Sequence, residues 1–218
     1  MAATSEAHWA LVVPVKHSSV AKSRLATYAG ALRPDLARAM AQDCVVAALA
    51  SLLVRAVVVV TDDDRAAASA RRAGAVVVAD EPAAGLNAAL RHGESVARRL
   101  VPSVGALSAD LAALRPRELT AALSAAPRDR LSFVADAAGS GTTLLLAPNG
   151  IALETRFGAS SAAAHRASGA VQLDASAWPS LGRDVDTEND VRAALRLGIG
   201  PHTAQVLAHL HAGSDAVR

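Results

Sequence analysis

Hydrophobic and polar positions follow two alternating patterns along this chain. Continuous aliphatic runs at residues 11–15 and 57–60 predict strands that are covered on both faces. Between them, residues 34–53 repeat apolar positions at helical spacing, and Pro34 fits the first turn of that helix. The same two patterns recur towards the C-terminus and predict further strands at 75–79, 104–108, 131–135, 142–146 and 171–174, separated mostly by helices.

Particular residues predict where several helices begin or end. Gly74 follows a helix that opens after residues 62–64, and glycine is the usual residue just beyond a helix C-terminus. Asn87 is predicted to cap a helix that runs to Leu100. Thr187, with Asp190 three residues on, predicts a capping box at the start of a later helix.

Repeated strand and helix units with short connections predict one α/β domain, with a mostly parallel sheet flanked by helices. We expect this domain to span residues 1–218, with residues 1–8 and 213–218 disordered. Ligands of such sheets bind beyond the carboxyl ends of the strands. Several charged residues directly follow predicted strands and are therefore candidate ligand contacts: Lys16, Asp62, Asp80, Asp110 and Asp136.

The composition narrows the choice of function. Hydrophobic residues make up 52% of the 218 residues but aromatics only 2%, so Val, Leu and Ala must fill the core. A net charge of +2, with few aromatics for base stacking, argues against nucleic acid or a membrane surface as a partner. Cys44, the single cysteine, excludes an internal disulfide and is expected to be a buried thiol. Because neither a secretory leader nor a membrane-spanning stretch is predicted, we expect a cytoplasmic protein.

The most informative feature is the pair Asp184 and Asp186. Residues two apart in an extended segment project to the same side. Two carboxylates held there repel each other unless a cation lies between them, so the pair indicates a divalent metal site. A helix cap uses the same residue types, and on the pair alone this alternative stays open. Asp110 would complete an all-oxygen set suited to Mg²⁺ and phosphates, which indicates phosphoryl or nucleotidyl transfer.

A basic loop follows the first predicted strand. Lys16, Lys22 and Arg24 lie within residues 16–27 and can surround a triphosphate with charge-assisted hydrogen bonds. The loop has neither the Walker lysine context nor GxGxxG, so it predicts neither a P-loop nor a dinucleotide site. A solvated basic surface is the alternative. Residues 139–143 and 157–161 can offer backbone N–H groups to an anion, although turns and caps use the same residue types.

Many of these short motifs, taken together, resemble those of a known family. The matching blocks are Pro14-Val15-Lys16, Ala21-Lys22-Ser23-Arg24-Leu25, Gly85-Leu86-Asn87, Ala109-Asp110-Leu111, Gly139-Ser140-Gly141-Thr142, Arg156-Phe157-Gly158, Ser161, His165, Ser168-Gly169-Ala170 and Arg183-Asp184-Val185-Asp186-Thr187. In this order they resemble the guanylyltransferases of deazaflavin-coenzyme biosynthesis, which use 2-phospho-L-lactate or phosphoenolpyruvate. The resemblance covers roughly residues 11–204 and implies a single-domain, Rossmann-like nucleotidyltransferase fold.

The resemblance also implies a reaction and its site residues. The reaction is transfer of GMP from GTP to a three-carbon phospho-acid, with phosphoenolpyruvate expected before 2-phospho-L-lactate, and with the next transferase of the pathway as a further partner. The implied residues are Asp110, Asp184 and Asp186 for Mg²⁺; Lys16, Lys22, Arg24 and Asn87 for GTP; Thr142, Gly158 and Ser161 for the phospho-acid; and Lys16, Lys22, Arg24 and Asp110 for catalysis.

The chain departs from the family pattern in one motif. Relatives usually have Gly-Asp-Leu-Pro where this chain has Ala109-Asp110-Leu111-Ala112. A Cβ at position 109 can crowd a ligand if the backbone there needs the freedom of glycine. Two alternative functions stay open: a nucleotidyltransferase of the same fold that acts on a sugar phosphate or a molybdopterin, and a GTP-binding scaffold without turnover.

Overall fold

The computed structural model describes residues 8–18, 21–81 and 83–215, with side chains up to residue 212. The strands in these ranges are β1 (Trp9–Pro14), β2 (Val54–Val60), β3 (Val76–Val78), β4 (Ser103–Leu107), β5 (Ser132–Ala135), β6 (Thr142–Ala147) and β7 (Val171–Gln172). The α-helices are α1 (Ala26–Ala29), α2 (Arg33–Leu49), α3 (Asp64–Ala73), α4 (Leu86–Leu100), α5 (Pro116–Ala125), α6 (Ser161–Ala167), α7 (Glu188–Leu197) and α8 (Pro201–Asp215). Short 3-10 turns at Ser23–Leu25 and Gly30–Leu32 flank α1.

In this part of the chain the strands form one seven-stranded sheet in the order β3-β2-β1-β4-β6-β5-β7. β1 pairs in parallel with both β2 and β4, and β2 pairs in parallel with β3. β6 runs antiparallel to β4 on one side and to β5 on the other, while β5 pairs in parallel with β7. The expected mostly parallel sheet flanked by helices is therefore confirmed, and β6 is the strand that reverses.

Alternate residues of the central strands pack on opposite faces of the sheet. Leu11 and Val13 of β1 join one hydrophobic cluster with Cys44 of α2, so the expected burial of this thiol is confirmed. Val12 joins a second cluster on the other face, beneath α4. There a Cβ at Gly93 would lie 2.4 Å from Val12 Cγ1, so glycine lets α4 approach the sheet closely. None of the helices described here is long and apolar enough to cross a membrane.

Helix ends were predicted with mixed success. The Thr187–Asp190 capping box and the left-handed Gly74 after α3 are confirmed. The prediction of a helix to Leu53 is wrong, because α2 ends at Leu49 and buried Leu53 instead leads into β2. The predicted Asn87 cap is also wrong, because Gly85 occupies that position and the Asn87 side chain bonds elsewhere.

The basic segment differs from the predicted simple loop, and the last helix extends into residues that were predicted as disordered. Residues 16–27 include the 3-10 turn and the start of α1, although Ser19 and Val20 lie outside the described residues. α8 continues to Asp215. Residues 1–7 and 216–218, which belong to the termini predicted as disordered, lie outside the described residues as well.

Candidate active site

Three separate segments bring opposite charges together near the carboxyl ends of β1 and β4. The Lys22 ammonium donates hydrogen bonds to Asp110 Oδ2 and, at 2.6 Å, to Asp186 Oδ1. Arg24 lies 2.9 Å from the other oxygen of Asp186. The Lys22 side chain is only 11% exposed, whereas Asp110 and Asp186 are 26% and 35% exposed. The charges therefore lie at the boundary between protein and solvent, where a ligand can reach them.

An apolar cluster explains why these segments meet. Leu25 lies three residues after Lys22, Ala112 two residues after Asp110, and Val185 just before Asp186. All three apolar residues are at least 98% buried and belong to one hydrophobic cluster, which we call the apolar floor. Burial of these side chains holds the polar residues beside them in register, since a fully buried Leu or Val contributes about 1.5–3 kcal/mol.

Lys22 adopts an unusual backbone conformation for a residue with a Cβ. Its φ of 56° and ψ of 42° lie in the left-handed region, which costs a non-glycine residue on the order of 1 kcal/mol. The Leu25 N–H donates to the Lys22 carbonyl at 2.9 Å, and the two carboxylates hold the ammonium. The strained backbone therefore occurs at Lys22, the residue whose ammonium lies between Asp110 and Asp186.

Asp184 adds a carboxylate that lacks such a cation partner in the contacts described. Burial, together with the negative charges of Asp110, Asp186 and Asp136, raises the pKa of Asp184 to about 6. Burial also favours a higher pKa for Asp186, but the neighbouring Lys22 and Arg24 lower its pKa below the ordinary value. Asp136, which directly follows β5, is one of the charged strand-end residues predicted as candidate ligand contacts, although the family resemblance assigns it no role. The site therefore holds more negative charge than the Lys22 ammonium balances.

The carboxylate oxygens are suitable ligands for a divalent cation, but their positions in this structure do not form a complete coordination site. Asp110 Oδ1 is buried and, among the contacts of the described residues, has no hydrogen-bond partner. Excess carboxylate charge at Asp184 is the condition that a hard divalent ion relieves. Within the described ranges, no three His, Cys, Asp or Glu side chains are grouped closely enough to form a ready metal site. In this structure the Lys22 ammonium lies between two of the predicted ligands.

A cavity of about 330 Å³ opens beside the charged residues. Its walls include predicted nucleotide contacts, predicted metal ligands and an aromatic residue: Lys16, Lys22, Arg24, Asp110, Asp186 and Phe157. Ala109, where the family resemblance leads us to expect glycine, also lies in the wall. A mixed apolar and cationic cavity at the end of a parallel strand pair is a suitable place for a nucleotide.

Sequence reasoning missed Arg38 in the wall of this cavity. Arg38 of α2 donates to Ser18 Oγ at 2.5 Å, and the Ser18 N–H donates to Asp63 Oδ2 at 2.9 Å. Burial would raise the pKa of Asp63, but hydrogen bonds from Ser18 and Ala66 and the charge of Arg38 lower it to about 2. These contacts anchor the first part of the basic segment. The sequence pattern that could have indicated this role is an arginine next to two small residues, Ala37 and Ala41, which line the same cavity.

One of the predicted phospho-acid residues, Thr142, contacts a buried histidine. Thr142 Oγ1 lies 2.9 Å from His165 Nδ1, and the Arg156 N–H donates to His165 Nε2 at 3.0 Å. Gly158 follows Arg156 closely in the chain, and its carbonyl accepts from the Ser161 N–H at 3.2 Å. Thr142 is therefore bonded to His165, and Gly158 to Ser161, while residues 156–158 of the chain connect the two pairs. Since β6 runs antiparallel, its first residue, Thr142, reaches the edge where β4 ends.

Asn87 has a different place from the one predicted. Its side chain donates to the Phe157 carbonyl and accepts from the Phe157 N–H, both at 2.9 Å. The amide therefore clamps the backbone just before Gly158, whose φ of 143° requires glycine. Asn87 is not among the residues that line the cavity, so its predicted contact with the nucleoside stays a prediction.

Comparison with known proteins gives first the fold and then the family of this chain. The mixed sheet carries a cavity beyond the carboxyl ends of β1 and β4, lined by Lys16, Lys22 and Arg24 together with Asp110 and Asp186. A nucleotidyl transferase from Methanothermobacter has the same fold, with a TM-score of 0.59 at 19% identity, and the match covers 87% of this chain and 97% of that one.

The family follows from the sequence comparisons. Residues 9–215 match the model described as "Guanylyl transferase CofC like", and the chain belongs to that family. A phosphoenolpyruvate guanylyltransferase of Streptomyces coelicolor is 56% identical over 205 residues, and one of Streptomyces scabiei is 54% identical over 209 residues. Each match covers 93% of this chain and 97% of the relative. The family suggested by the short motifs is thereby confirmed.

Proposed function

We propose that this protein transfers GMP from GTP to the phosphate of phosphoenolpyruvate and releases pyrophosphate. The observation that carries the proposal is the meeting of Lys22, Asp110 and Asp186 at one wall of a nucleotide-sized cavity. Membership of the guanylyl transferase family supports the reaction class. The names of the Streptomyces relatives support phosphoenolpyruvate as the acceptor.

The acceptor phosphate supplies its own nucleophile. Its second pKa is about 6, so it is largely ionised at neutral pH and needs no general base. One of its oxygens forms a bond to the α-phosphorus of GTP. The bond from that phosphorus to the oxygen bridging the α- and β-phosphates breaks, and its electron pair leaves with pyrophosphate. The residues of the site must therefore align two anions and neutralise their charge.

The cations of the basic segment are placed for this task. Lys16, Lys22 and Arg24 share the cavity wall, so a triphosphate bound there would contact several positive charges at once. Lys22 is the most constrained of the three, because its backbone is strained and its ammonium is held by two carboxylates. We assign it the neutralisation of charge nearest the reacting phosphorus.

We further propose that Asp110, Asp184 and Asp186 hold Mg²⁺. When bound, the ion would neutralise phosphate charge and polarise the phosphoryl oxygens. The unpartnered oxygen of Asp110 and the raised pKa of Asp184 support this assignment.

Thr142, Gly158 and Ser161 are the proposed acceptor contacts. Hydroxyl and backbone N–H donors suit a small acid that carries a carboxylate and a phosphate close together. Phosphoenolpyruvate is planar at C2, whereas 2-phospho-L-lactate has a tetrahedral centre and a methyl group there. So small a difference in shape separates substrates by only about 1–3 kcal/mol, and we expect some reaction with both acids.

The product joins two phosphates through an anhydride, so GMP is a good leaving group when the other phosphorus is attacked. We therefore propose that the next transferase of the pathway consumes it, in the cytoplasm where GTP and phosphoenolpyruvate are available. The family match and the names of the Streptomyces relatives support turnover over a scaffold role.

The test measures pyrophosphate released from GTP and Mg²⁺ with each acid alone and with both in competition, with the guanylylated products resolved by mass spectrometry. We expect both products, with the phosphoenolpyruvate product in excess. A clear excess of the phospholactate product would overturn the acceptor while keeping the guanylyl transfer. Pyrophosphate release with neither acid would overturn the proposed function, and CTP in place of GTP is the control for the nucleotide.

A further inference from the structure

We propose that His165 is a positioning residue, which fixes the Thr142 hydroxyl as a hydrogen-bond donor towards the phospho-acid. This inference rests on the proposed function, because it concerns the acceptor end of that site. His165 itself is fully buried and is not a candidate for direct contact with a substrate.

The argument begins with the two partners of the imidazole. The Arg156 backbone N–H can only donate, so His165 Nε2, at 3.0 Å, must accept. The ring nitrogen that accepts carries no proton, and in a neutral imidazole the proton then lies on Nδ1. Burial and the charge of Arg156 lower the pKa of His165 to about 4, which keeps the ring neutral near pH 7.

The fixed tautomer determines what Thr142 can do. His165 Nδ1–H, 2.9 Å from Thr142 Oγ1, can only donate to that oxygen. The hydroxyl is thereby an acceptor towards His165, and its own hydrogen stays available for a ligand. An oxyanion of a phospho-acid requires such a donor, whereas a freely rotating hydroxyl would spend part of its time in other orientations.

Packing holds the imidazole in this position. The ring of Phe157 meets it edge-on at 5.2 Å between centroids, and Phe133 packs at 5.9 Å from another side. The Asn87 clamp fixes the Phe157 backbone, so the segment that carries Gly158 cannot shift without disturbing His165. His165 thus connects the Thr142 hydroxyl with the backbone at Arg156, which leads to Gly158.

A double-mutant cycle between His165→Gln and Thr142→Val tests the proposal. Glutamine can place its oxygen near the position of Nε2 and so keep the bond from Arg156, but it loses the donor to Thr142. Valine keeps the shape of threonine and removes the hydroxyl. We expect H165Q to raise the KM for phosphoenolpyruvate by about five- to ten-fold, with the Kd for GTP unchanged. In the T142V background, H165Q should add less than about two-fold.

The conservative variant His165→Asn is the matched control. Its amide nitrogen can occupy the Nδ1 position and donate to Thr142, so it should restore the KM to within about three-fold of the parent. If H165Q raises the KM equally with and without the Thr142 hydroxyl, or weakens GTP binding equally, the residue is merely structural and the proposal is overturned. Thermal unfolding of each variant identifies a loss of fold.

A second measurement uses the parent protein and needs no substitution. Nitrogen NMR of the imidazole distinguishes the two neutral tautomers, and we expect Nδ1 to carry the proton at neutral pH. A proton on Nε2 would overturn the proposal even if catalysis is normal. Conversely, absence of pyrophosphate release from the parent protein would overturn the proposed function and leave the tautomer result standing.

Discussion

The two ends of the candidate site are built in opposite ways. The nucleotide end, around Lys22, Asp110 and Asp186, places full charges on partly exposed side chains beside an open cavity. The acceptor end, around His165 and Thr142, consists of neutral hydrogen bonds that solvent hardly reaches. At the nucleotide end, charged side chains remain open to a ligand that can balance their charge. At the acceptor end, packing fixes the direction of the hydrogen-bond donors before any ligand binds.

This comparison predicts that charge removal at the nucleotide end has the largest effect. Replacing Asp184 or Asp186 with Asn keeps the size of the side chain but removes a proposed Mg²⁺ ligand, so kcat should fall by at least about 100-fold. Asp129→Asn is the matched control, because Asp129 is exposed and pairs with its neighbour Arg130. Steady-state pyrophosphate release measures the effect, and thermal unfolding checks the fold. Activity within a few-fold of the parent at saturating Mg²⁺ would make the pair a helix-capping feature.

A smaller loss is expected when one cation of the cavity wall is removed. Lys16→Ala deletes a charge-assisted contact to the triphosphate, worth about 1.5–3 kcal/mol, so the Kd for GTP should rise roughly ten- to a hundred-fold. Arg55→Ala removes the same charge from an exposed position on β2 outside the cavity wall and should leave the Kd unchanged. Calorimetry compares the two. Equal affinities for the parent and Lys16→Ala would return the basic segment to a solvated surface.

The buried histidine of the acceptor end should make the free energy of unfolding sensitive to acid. The pKa of His165 is lowered from 6.5 to about 4 in the folded chain, so below pH 6.5 the unfolded chain binds a proton that the folded chain does not. The free energy of unfolding should therefore fall by about 1–2 kcal/mol between neutral pH and about pH 5 through this group. Urea unfolding measures it, and H165Q should lack this contribution. An identical pH dependence in parent and variant would contradict the buried, neutral histidine.

The smallest effect concerns Ala109, which lies in the cavity wall at a position where the family resemblance leads us to expect glycine. If its Cβ hinders the bound nucleotide, Ala109→Gly should raise kcat by about two- to three-fold without changing which acid is used. Adding Ala112→Pro tests the rest of the motif. Because Ala112 is buried in the apolar floor, there is little room there for the larger proline ring. Lower activity of Ala109→Gly would indicate a backbone adapted to alanine.

Local sequence patterns predicted the features that depend on neighbouring residues. The β-branched run of β2, the glycine after α3 and the Thr187–Asp190 capping box all arise from contacts within a few residues. The burial of Val185 between two partly exposed aspartates likewise follows from alternation in an extended segment.

Features that depend on distant residues escaped these patterns. Asn87 was predicted as a cap, but its partner is Phe157, 70 residues away. The short connection at residues 136–141 favours antiparallel pairing of β6 with β5, but the pairing of β6 with distant β4, which brings Thr142 to the site, was not predicted. The left-handed backbone of Lys22 was not predicted either, because the residue is not a glycine. The carboxylates that bind its ammonium lie far away in the sequence.

The apolar floor has a consequence for how the molecule opens. Leu25, Ala112 and Val185 share this cluster with Leu207 of α8, so exposing any one of them to water weakens the packing of the others. The segments that carry Lys22, Asp110 and Asp186 should therefore open as one cooperative unit rather than separately. A bound nucleotide would then slow hydrogen exchange in α8 as well, a helix that contributes none of the proposed ligand contacts.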